Sequence, residues 1–178
     1  MKSISNFLYN LTLFSIFSLC CSNQSFGQEK VNISAGVGFA EFLNVGVRYQ
    51  LKQAQIGISL GSLPRKEGSL ISVSGDYYGH FAGSSKLSNR RPWYGRAGLN
   101  YIRDEDSTHN DKYVYLNFRF GRDINISKKL GIQIDAGINF QLYYENVSKL
   151  PPSSWDIDID YSNSLALPSI GIGLFYRI

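Results

Sequence analysis

The chain has 178 residues, of which 18% are charged and 14% are aromatic, and 17 of them are glycines. The net charge of +4 is modest and the basic residues are not gathered on one aromatic-bearing face, so the composition does not favour nucleic-acid binding. Both cysteines, Cys20 and Cys21, lie in a predicted targeting segment. The mature chain would therefore lack disulfides, thiolate metal sites and cysteine nucleophiles.

The start of the chain has the features of a cleavable signal peptide. Lys2 supplies a positive charge, an apolar stretch runs from Phe7 to Cys21, and Ser25-Phe26-Gly27 offers small residues for a cleavage site. We therefore expect residues 1–27 to be removed and residues 28–178 to form one domain. Two alternatives are a retained membrane anchor, for which the apolar stretch is short, and a lipoprotein acylated at a cysteine.

Five segments then follow in which apolar residues alternate with small or polar ones. A period of two is the pattern of a β-strand. The five predicted strands cover Val31–Phe39, Val45–Leu51, Ile56–Gly61, Ile71–Gly79 and Trp93–Arg103.

The longest alternation runs from Tyr113 to Glu145 and predicts a hairpin with a turn at Ser127–Lys129. On each arm, one face is nearly pure hydrocarbon, and in the second arm that face runs from Leu130 to Tyr144. The opposite face carries charged and amide side chains among glycines, as a transmembrane barrel strand does toward its lumen. With a last strand over Pro168–Ile178 the total is eight, the smallest common size for such barrels.

A five-residue phrase recurs in three of these strands. The copies are Ala35-Gly36-Val37-Gly38-Phe39, Ala97-Gly98-Leu99-Asn100-Tyr101 and Ala136-Gly137-Ile138-Asn139-Phe140. Glycine weakens a strand in general, but its recurrence on the polar face is explained if that face lines a narrow lumen.

Together, the cleavable signal, the eight alternating strands and the final strand resemble the small Gram-negative outer-membrane β-barrel proteins of the OmpA-like superfamily. The chain ends Leu174-Phe175-Tyr176-Arg177-Ile178. The resemblance implies that Gly173, Tyr176 and Ile178 form the terminal signal read by the barrel-assembly machinery, with Ile178 in place of the commoner Phe. It also implies an all-β fold, a single eight-stranded antiparallel up-and-down transmembrane β-barrel.

The connections are expected to alternate between the two sides of the membrane. The outside set is predicted at Ala40–Asn44, Ser62–Gly68, Asp104–Lys112 and Asn146–Leu167, and the periplasmic set at Lys52–Ala54, Ala82–Arg91 and Ser127–Lys129. Acids gather in the first set and basic residues in the second. This distribution predicts a charge polarity along the barrel axis.

The polar face predicts an ion-pair network in the lumen, because unpaired charges away from water are costly. Its charged residues are Arg48, Arg96, Arg119 and Arg177 with Asp76, Asp123 and Asp135. We expect at least two of the arginines to pair with Asp76 or Asp135. The alternative is a water-filled pathway, although eight strands leave an interior that side chains can fill.

The sequence gives little sign of catalysis. The two histidines are His80, near the periplasmic end of the fourth strand, and His109, in a loop whose nearest nucleophile is Ser107. We expect no catalytic residue and no cofactor. The acidic patterns Asp104-x-Asp106 and Asp156-x-Asp158-x-Asp160 could hold calcium, but they lack the glycine and distal glutamate of an EF-hand loop, so no metal site is predicted.

The sequence thus predicts a monomeric integral protein of the outer membrane with a structural or surface-interaction role. Its expected partners are outer-membrane lipids, lipopolysaccharide and, during biogenesis, the barrel-assembly machinery. The alternatives are a secreted or periplasmic soluble barrel that binds a small hydrophobic ligand, and a lipid-modifying outer-membrane enzyme. The segment Asn146–Leu167 could contact a basic partner or divalent-bridged lipopolysaccharide, or pack on itself with no partner.

Overall fold

The computed structural model describes residues 30–65, 68–148 and 166–178, in which eight antiparallel strands close into one barrel. The strands are β1 (Val31–Gly38), β2 (Phe42–Leu51), β3 (Ala54–Leu63), β4 (Ser69–Ala82), β5 (Trp93–Glu105), β6 (His109–Asn125), β7 (Leu130–Ser148) and β8 (Ala166–Arg177). Each strand pairs with its neighbour in sequence, and β1 pairs with β8 to close the sheet. The predicted all-β, eight-stranded up-and-down barrel is confirmed.

The two faces of the barrel wall follow the alternation in the sequence. Apolar side chains point outward, and Ile58 and Val45 are 70% and 61% exposed. Polar side chains point into the lumen, where Arg96 is 6% exposed and Asn117 only 1%. The predicted assignment of the polar face to the interior is therefore confirmed for the described strands.

Two glycines of the repeated phrase lie in close contact with the neighbouring strand. A Cβ on Gly98 would lie 2.1 Å from the Asp76 carboxylate, and a Cβ on Gly137 would lie 2.0 Å from the Phe118 carbonyl oxygen. In both cases the close approach is to the strand paired with the glycine, β4 for Gly98 and β6 for Gly137. The narrow lumen offered as the reason for the recurrence of the phrase stays a prediction.

β1 ends one residue earlier than predicted, the other strands are longer than predicted, and most of the expected outside loops are short turns. β5 continues to Glu105 and β6 begins at His109, which leaves three residues, 106–108, between them. The loop predicted at Asp104–Lys112 is therefore wrong, because its residues continue the β5–β6 ladder. Of the segment Asn146–Leu167, the first residues belong to β7 and the last to β8, and residues 149–165 lie outside the described part of the chain.

A β-bulge corrects the predicted face of Tyr144. Tyr115 pairs with Gln141 and Val114 with Tyr143, so Leu142 is an extra residue on β7. An extra residue reverses the alternation beyond it. Tyr144 consequently pairs with Tyr113 and stacks on its ring at a centroid distance of 5.0 Å, away from the outward face on which it was predicted.

Each end of the barrel sends one charged side chain from a connection into the lumen, Glu41 at one end and Arg90 at the other. The Glu41 end is formed by the connections 39–41 and 106–108, and the Arg90 end by the connections 52–53, 83–92 and 126–129. A small apolar cluster of Ala40, Leu70, Ile102 and Tyr115 fills the lumen at the Glu41 end.

Candidate functional site

Arg96 on β5 lies at the centre of a buried ion network in the lumen. Its Nε donates to Oδ1 of Asp76 at 2.9 Å, and its Nη2 donates to Oδ2 of the same carboxylate at 2.7 Å. The same Nη2 also donates to Oε1 of Glu41 at 2.6 Å. The bidentate geometry toward Asp76 is the strong form of the arginine–carboxylate interaction.

Arg119 on β6 repeats this arrangement beside Arg96. Its Nη2 donates to Oε2 of Glu41 at 2.7 Å, and its Nη1 donates to Oδ1 of Asp135 at 3.2 Å. Asp135 also accepts a hydrogen bond from the Tyr94 hydroxyl at 2.9 Å. Two of the four predicted arginines are thus paired with Asp76 or Asp135, and Glu41 joins the two pairs into one network.

The sequence reasoning missed Glu41, which had been placed in an outside loop at Ala40–Asn44. β2 begins at Phe42, and the short connection 39–41 folds into the lumen, where Glu41 is only 2% exposed. Phe42 adopts a φ of 56°, a left-handed conformation that non-glycine residues rarely take. One signal could have indicated Glu41, because the predicted polar face held four arginines but only three aspartates.

The inward turn is also held through its backbone. The Phe39 carbonyl oxygen accepts hydrogen bonds from Arg119, from Asn139 at 3.4 Å and from Ser169 at 2.6 Å. The Glu41 carbonyl oxygen accepts one from Ser72 at 3.0 Å. Side chains from four strands (β4, β6, β7 and β8) therefore hold the same turn inside the barrel.

Arg48 and Arg177, the other two predicted arginines, lie outside this network. Arg48 donates to Gln133, and its guanidinium carbon lies 4.3 Å from the centroid of the Tyr78 ring. Arg177 donates to the Lys128 carbonyl oxygen at 2.7 Å and to Asn125. The lumen therefore holds two groups of arginines, one bound by carboxylates and one that uses amide, carbonyl and aromatic partners.

Arg90 fills the opposite end of the lumen. The predicted loop Ala82–Arg91 corresponds to the connection 83–92, which folds over the opening and sends Arg90 inward. Arg90 donates to Asp123 at 2.6 Å and to Gln50 at 2.8 Å. His80 lies in the same region, 5% exposed, with Nδ1 at 2.8 Å from the Arg91 carbonyl oxygen.

The lumen contains a small polar cavity. Its volume is about 20 Å³, and its lining includes Arg48, Tyr78 and Gln133. This volume is enough for about one water molecule. The buried amides of Asn100 and Asn117 have no protein partner among the described residues, and amides of this kind usually bind ordered water.

The outer wall carries a broad apolar zone with few charged residues. On β6 the outward residues Val114, Leu116, Phe118 and Phe120 lie between Lys112 and Arg122, and Ile124 and Ile126 continue the same apolar face beyond Arg122. Lys112 forms an ion pair with Glu145 at 3.1 Å. Arg122 lies over Trp93, with its guanidinium carbon 5.1 Å from the ring centroid.

The three residues of the predicted assembly signal lie on β8 or directly after it. Tyr176 and Ile178 are about half exposed on the outer wall, at 46% and 53%. Gly173 lies against β1, where a Cβ would be 2.9 Å from the Ala35 carbonyl oxygen. Their reading by the assembly machinery stays a prediction.

Asp104, Asp106 and His109, at the Glu41 end, form hydrogen bonds with neighbouring residues. Asp104 accepts from Arg65 at 2.8 Å. Asp106 accepts from the backbone N–H groups of Thr108 and His109, and these hydrogen bonds lower the pKa of its carboxyl to about 2. Within the described ranges, no cluster of three or more histidine, cysteine or acidic side chains is arranged to hold a metal ion. The acids at 156–160 lie outside those ranges.

The same described ranges contain no helix that is long and apolar enough to span a bilayer. A scan of the chain against protein-family models finds no match, and a search of curated proteins finds no similar sequence.

Proposed function

We propose that this protein is an integral β-barrel of the bacterial outer membrane with a structural or surface-interaction role and no catalytic activity. The observation that carries the proposal is the outer wall, where large apolar side chains are exposed on every strand. An apolar surface of this extent is costly in water and matches the hydrocarbon region of a bilayer.

The height of the apolar zone supports a membrane location. The ten-residue step from Lys112 to Arg122 separates the charged outward residues of β6. At about 3.4 Å per residue and a tilt of about 40°, this step spans roughly 25 Å along the barrel axis, the usual height of the apolar band in such barrels.

Aromatic side chains near the two edges of this zone support the same conclusion. Tyr49, Tyr77, Phe81, Trp93 and Tyr176 face outward toward the Arg90 end, and Tyr101, Phe140 and Tyr143 toward the Glu41 end. Aromatic girdles at both interfaces are a feature of transmembrane barrels.

The lumen argues against the soluble alternative. A carrier of a small hydrophobic ligand needs an apolar cavity of several hundred Å³, whereas the cavity described in this lumen is polar and about 20 Å³ in volume. The same filled interior argues against a conducting pore. A role that depends on the wall and on the exposed connections is therefore favoured.

Cell fractionation with gel mobility tests the proposal. We expect the full chain to stay with the outer-membrane fraction in alkaline carbonate and to need detergent for release. Because a folded barrel resists the denaturing detergent until it is heated, unboiled and boiled samples should migrate differently. Release by carbonate alone, with no heat-dependent shift, would exclude the membrane location.

A further inference from the structure

Arg122 is a charged side chain on the otherwise apolar outer wall. It is exposed and pairs in register with Trp93 on one side and Ile134 on the other. Among the described residues it forms no ion pair with a carboxylate, and its guanidinium group lies over the Trp93 ring. A cation in this position requires either water or an external anion.

The position of Arg122 along the wall favours an external anion at headgroup depth. A charged residue facing lipid costs about 2–4 kcal/mol at the bilayer midplane, and little near the interface. Trp93 belongs to the aromatic girdle that marks the interface, and the long arginine side chain can extend toward the headgroups. An extended Arg122 side chain would therefore reach toward the lipid phosphates, past Ile124 and Ile126 on the same face.

A second cation lies over an aromatic ring near the same edge. The ammonium group of Lys129 lies 5.9 Å from the centroid of the outward Tyr176 ring. More exposed basic residues surround this end of the barrel: Lys30, Lys52, Lys86, Arg91 and Lys128. Apart from the α-carboxylate of Ile178, whose N–H donates to the Val31 carbonyl oxygen, the carboxylates of the described residues lie either in the lumen or at the Glu41 end. Among the described residues, none of these cations forms an ion pair with a carboxylate.

The Glu41 end has the opposite balance. Its described acids outside the lumen are Asp104, Glu105, Asp106, Asp111 and Glu145, and its cations are Arg65, Arg103 and Lys112. Each of these cations forms an ion pair with one of the acids. Of the two rims, the one with uncompensated positive charge is therefore the Arg90 end.

We propose that Arg122 with Trp93, together with Lys129 and Tyr176, binds the phosphate headgroup of an anionic phospholipid in the leaflet at the Arg90 end. The inference rests on the proposed membrane location. A lipid is favoured over an acidic protein because Arg122 lies on the outer wall itself and because both cations lie over outward-facing aromatic rings. The attraction of a cation to an anionic leaflet is worth roughly a fivefold enrichment per residue.

Quenching of Trp93 fluorescence measures this enrichment directly. The chain has two tryptophans, so a Trp155→Phe background leaves Trp93 as the only reporter. The full chain is reconstituted in phosphatidylcholine vesicles that contain a minor fraction of brominated phosphatidylglycerol or, in parallel, the same fraction of brominated phosphatidylcholine. We expect stronger quenching by the anionic lipid, equivalent to at least about a fivefold local enrichment. Inorganic phosphate added at constant ionic strength should leave this preference unchanged.

The variants separate a specific site from general surface charge. In Arg122→Gln/Lys129→Gln, the ratio of quenching by the two lipids should fall well below its value in the Trp155→Phe protein, with a remainder from the other cations of this end. The matched control Lys52→Gln/Lys86→Gln removes two exposed cations from the same end and should lower the ratio less than Arg122→Gln/Lys129→Gln does. Equal quenching by both lipids in the Trp155→Phe protein would overturn the proposal, as would an unchanged ratio in Arg122→Gln/Lys129→Gln or loss of the preference in free phosphate. If neither brominated lipid quenched Trp93, the membrane location itself would be wrong.

Discussion

The inner and outer walls of this barrel have opposite relations between polarity and burial. Inside, Arg96 and Glu41 are charged and almost fully buried, while outside, Ile58 is apolar and 70% exposed. The inner wall is stable because its charges satisfy one another. The outer wall has no such internal compensation and needs an apolar neighbour. In this barrel the polarity of a side chain therefore does not indicate, by the usual rule for soluble proteins, whether that side chain is buried.

The connections that close the lumen at its two ends also differ from each other. At one end Glu41 is held by two guanidinium groups, and at the other Arg90 is held by one carboxylate and one amide. Both closures come from connections rather than from strands. The inner wall therefore depends on turns as well as on the ladder.

The largest expected effect comes from breaking the inner network at its centre. Arg96→Met would leave Glu41 and Asp76 buried with fewer compensating charges, at a cost of about 3–5 kcal/mol in the free energy of unfolding. The measurement is urea unfolding in lipid vesicles, followed by the heat-dependent gel shift.

Two comparisons make that result specific. Glu41→Gln should lower the free energy of unfolding less in the Arg96→Met protein than in the unchanged protein. The reason is that Glu41 has already lost one of its two arginine partners in the Arg96→Met protein. Arg103→Met breaks an exposed ion pair with Glu105 and should cost less than about 1 kcal/mol. Equal losses for Arg96→Met and Arg103→Met would show that the lumen charges are solvated.

A smaller effect is expected from Gly61→Ala, which acts on the inward turn. A Cβ at Gly61 would lie 1.8 Å from the Glu41 carbonyl oxygen, so the turn must shift, at a cost of about 1–3 kcal/mol. In Gly75→Ala on the outer wall, the new Cβ meets no atom within 4 Å. This control should change the unfolding free energy little, and a comparable loss would contradict the close approach at Gly61.

The smallest expected effect concerns Asp106 at the Glu41 end, in the connection between β5 and β6. Its folded-state pKa of about 2 lies below the ordinary value of 3.8, so its stabilising contribution is complete above that value. Protonation as the pH falls from about 4 to 2 should remove it. In an NMR titration, the shifts of the Thr108 and His109 amides should change with a midpoint near pH 2. In the Asp106→Ala variant the same amides should show no such change. A midpoint near 4 would contradict the hydrogen-bonded geometry.

The sequence predicted the walls better than the closures. Alternation placed Arg96, Arg119 and Ile58 on their faces because a paired strand has a fixed period of two. A turn has no such period, so Glu41 and Arg90 could not be assigned to the lumen from local sequence. The bulge at Leu142 likewise has no distinct residue pattern, and Tyr144 was placed on the wrong face for that reason. The pairing of particular charges depends on which strands meet across the lumen, which only the closed barrel defines.

The most direct test of the central claim is a charge placed on the outer wall at mid-height. Ile58 lies in the middle of β3 and is already 70% exposed, so Ile58→Arg would be nearly neutral if the wall faced water. In phospholipid vesicles the account predicts a loss of about 2–4 kcal/mol, with Val147→Arg at the rim losing only about 0–1 kcal/mol. Equal unfolding free energies for the two variants would contradict the claim that this wall faces lipid.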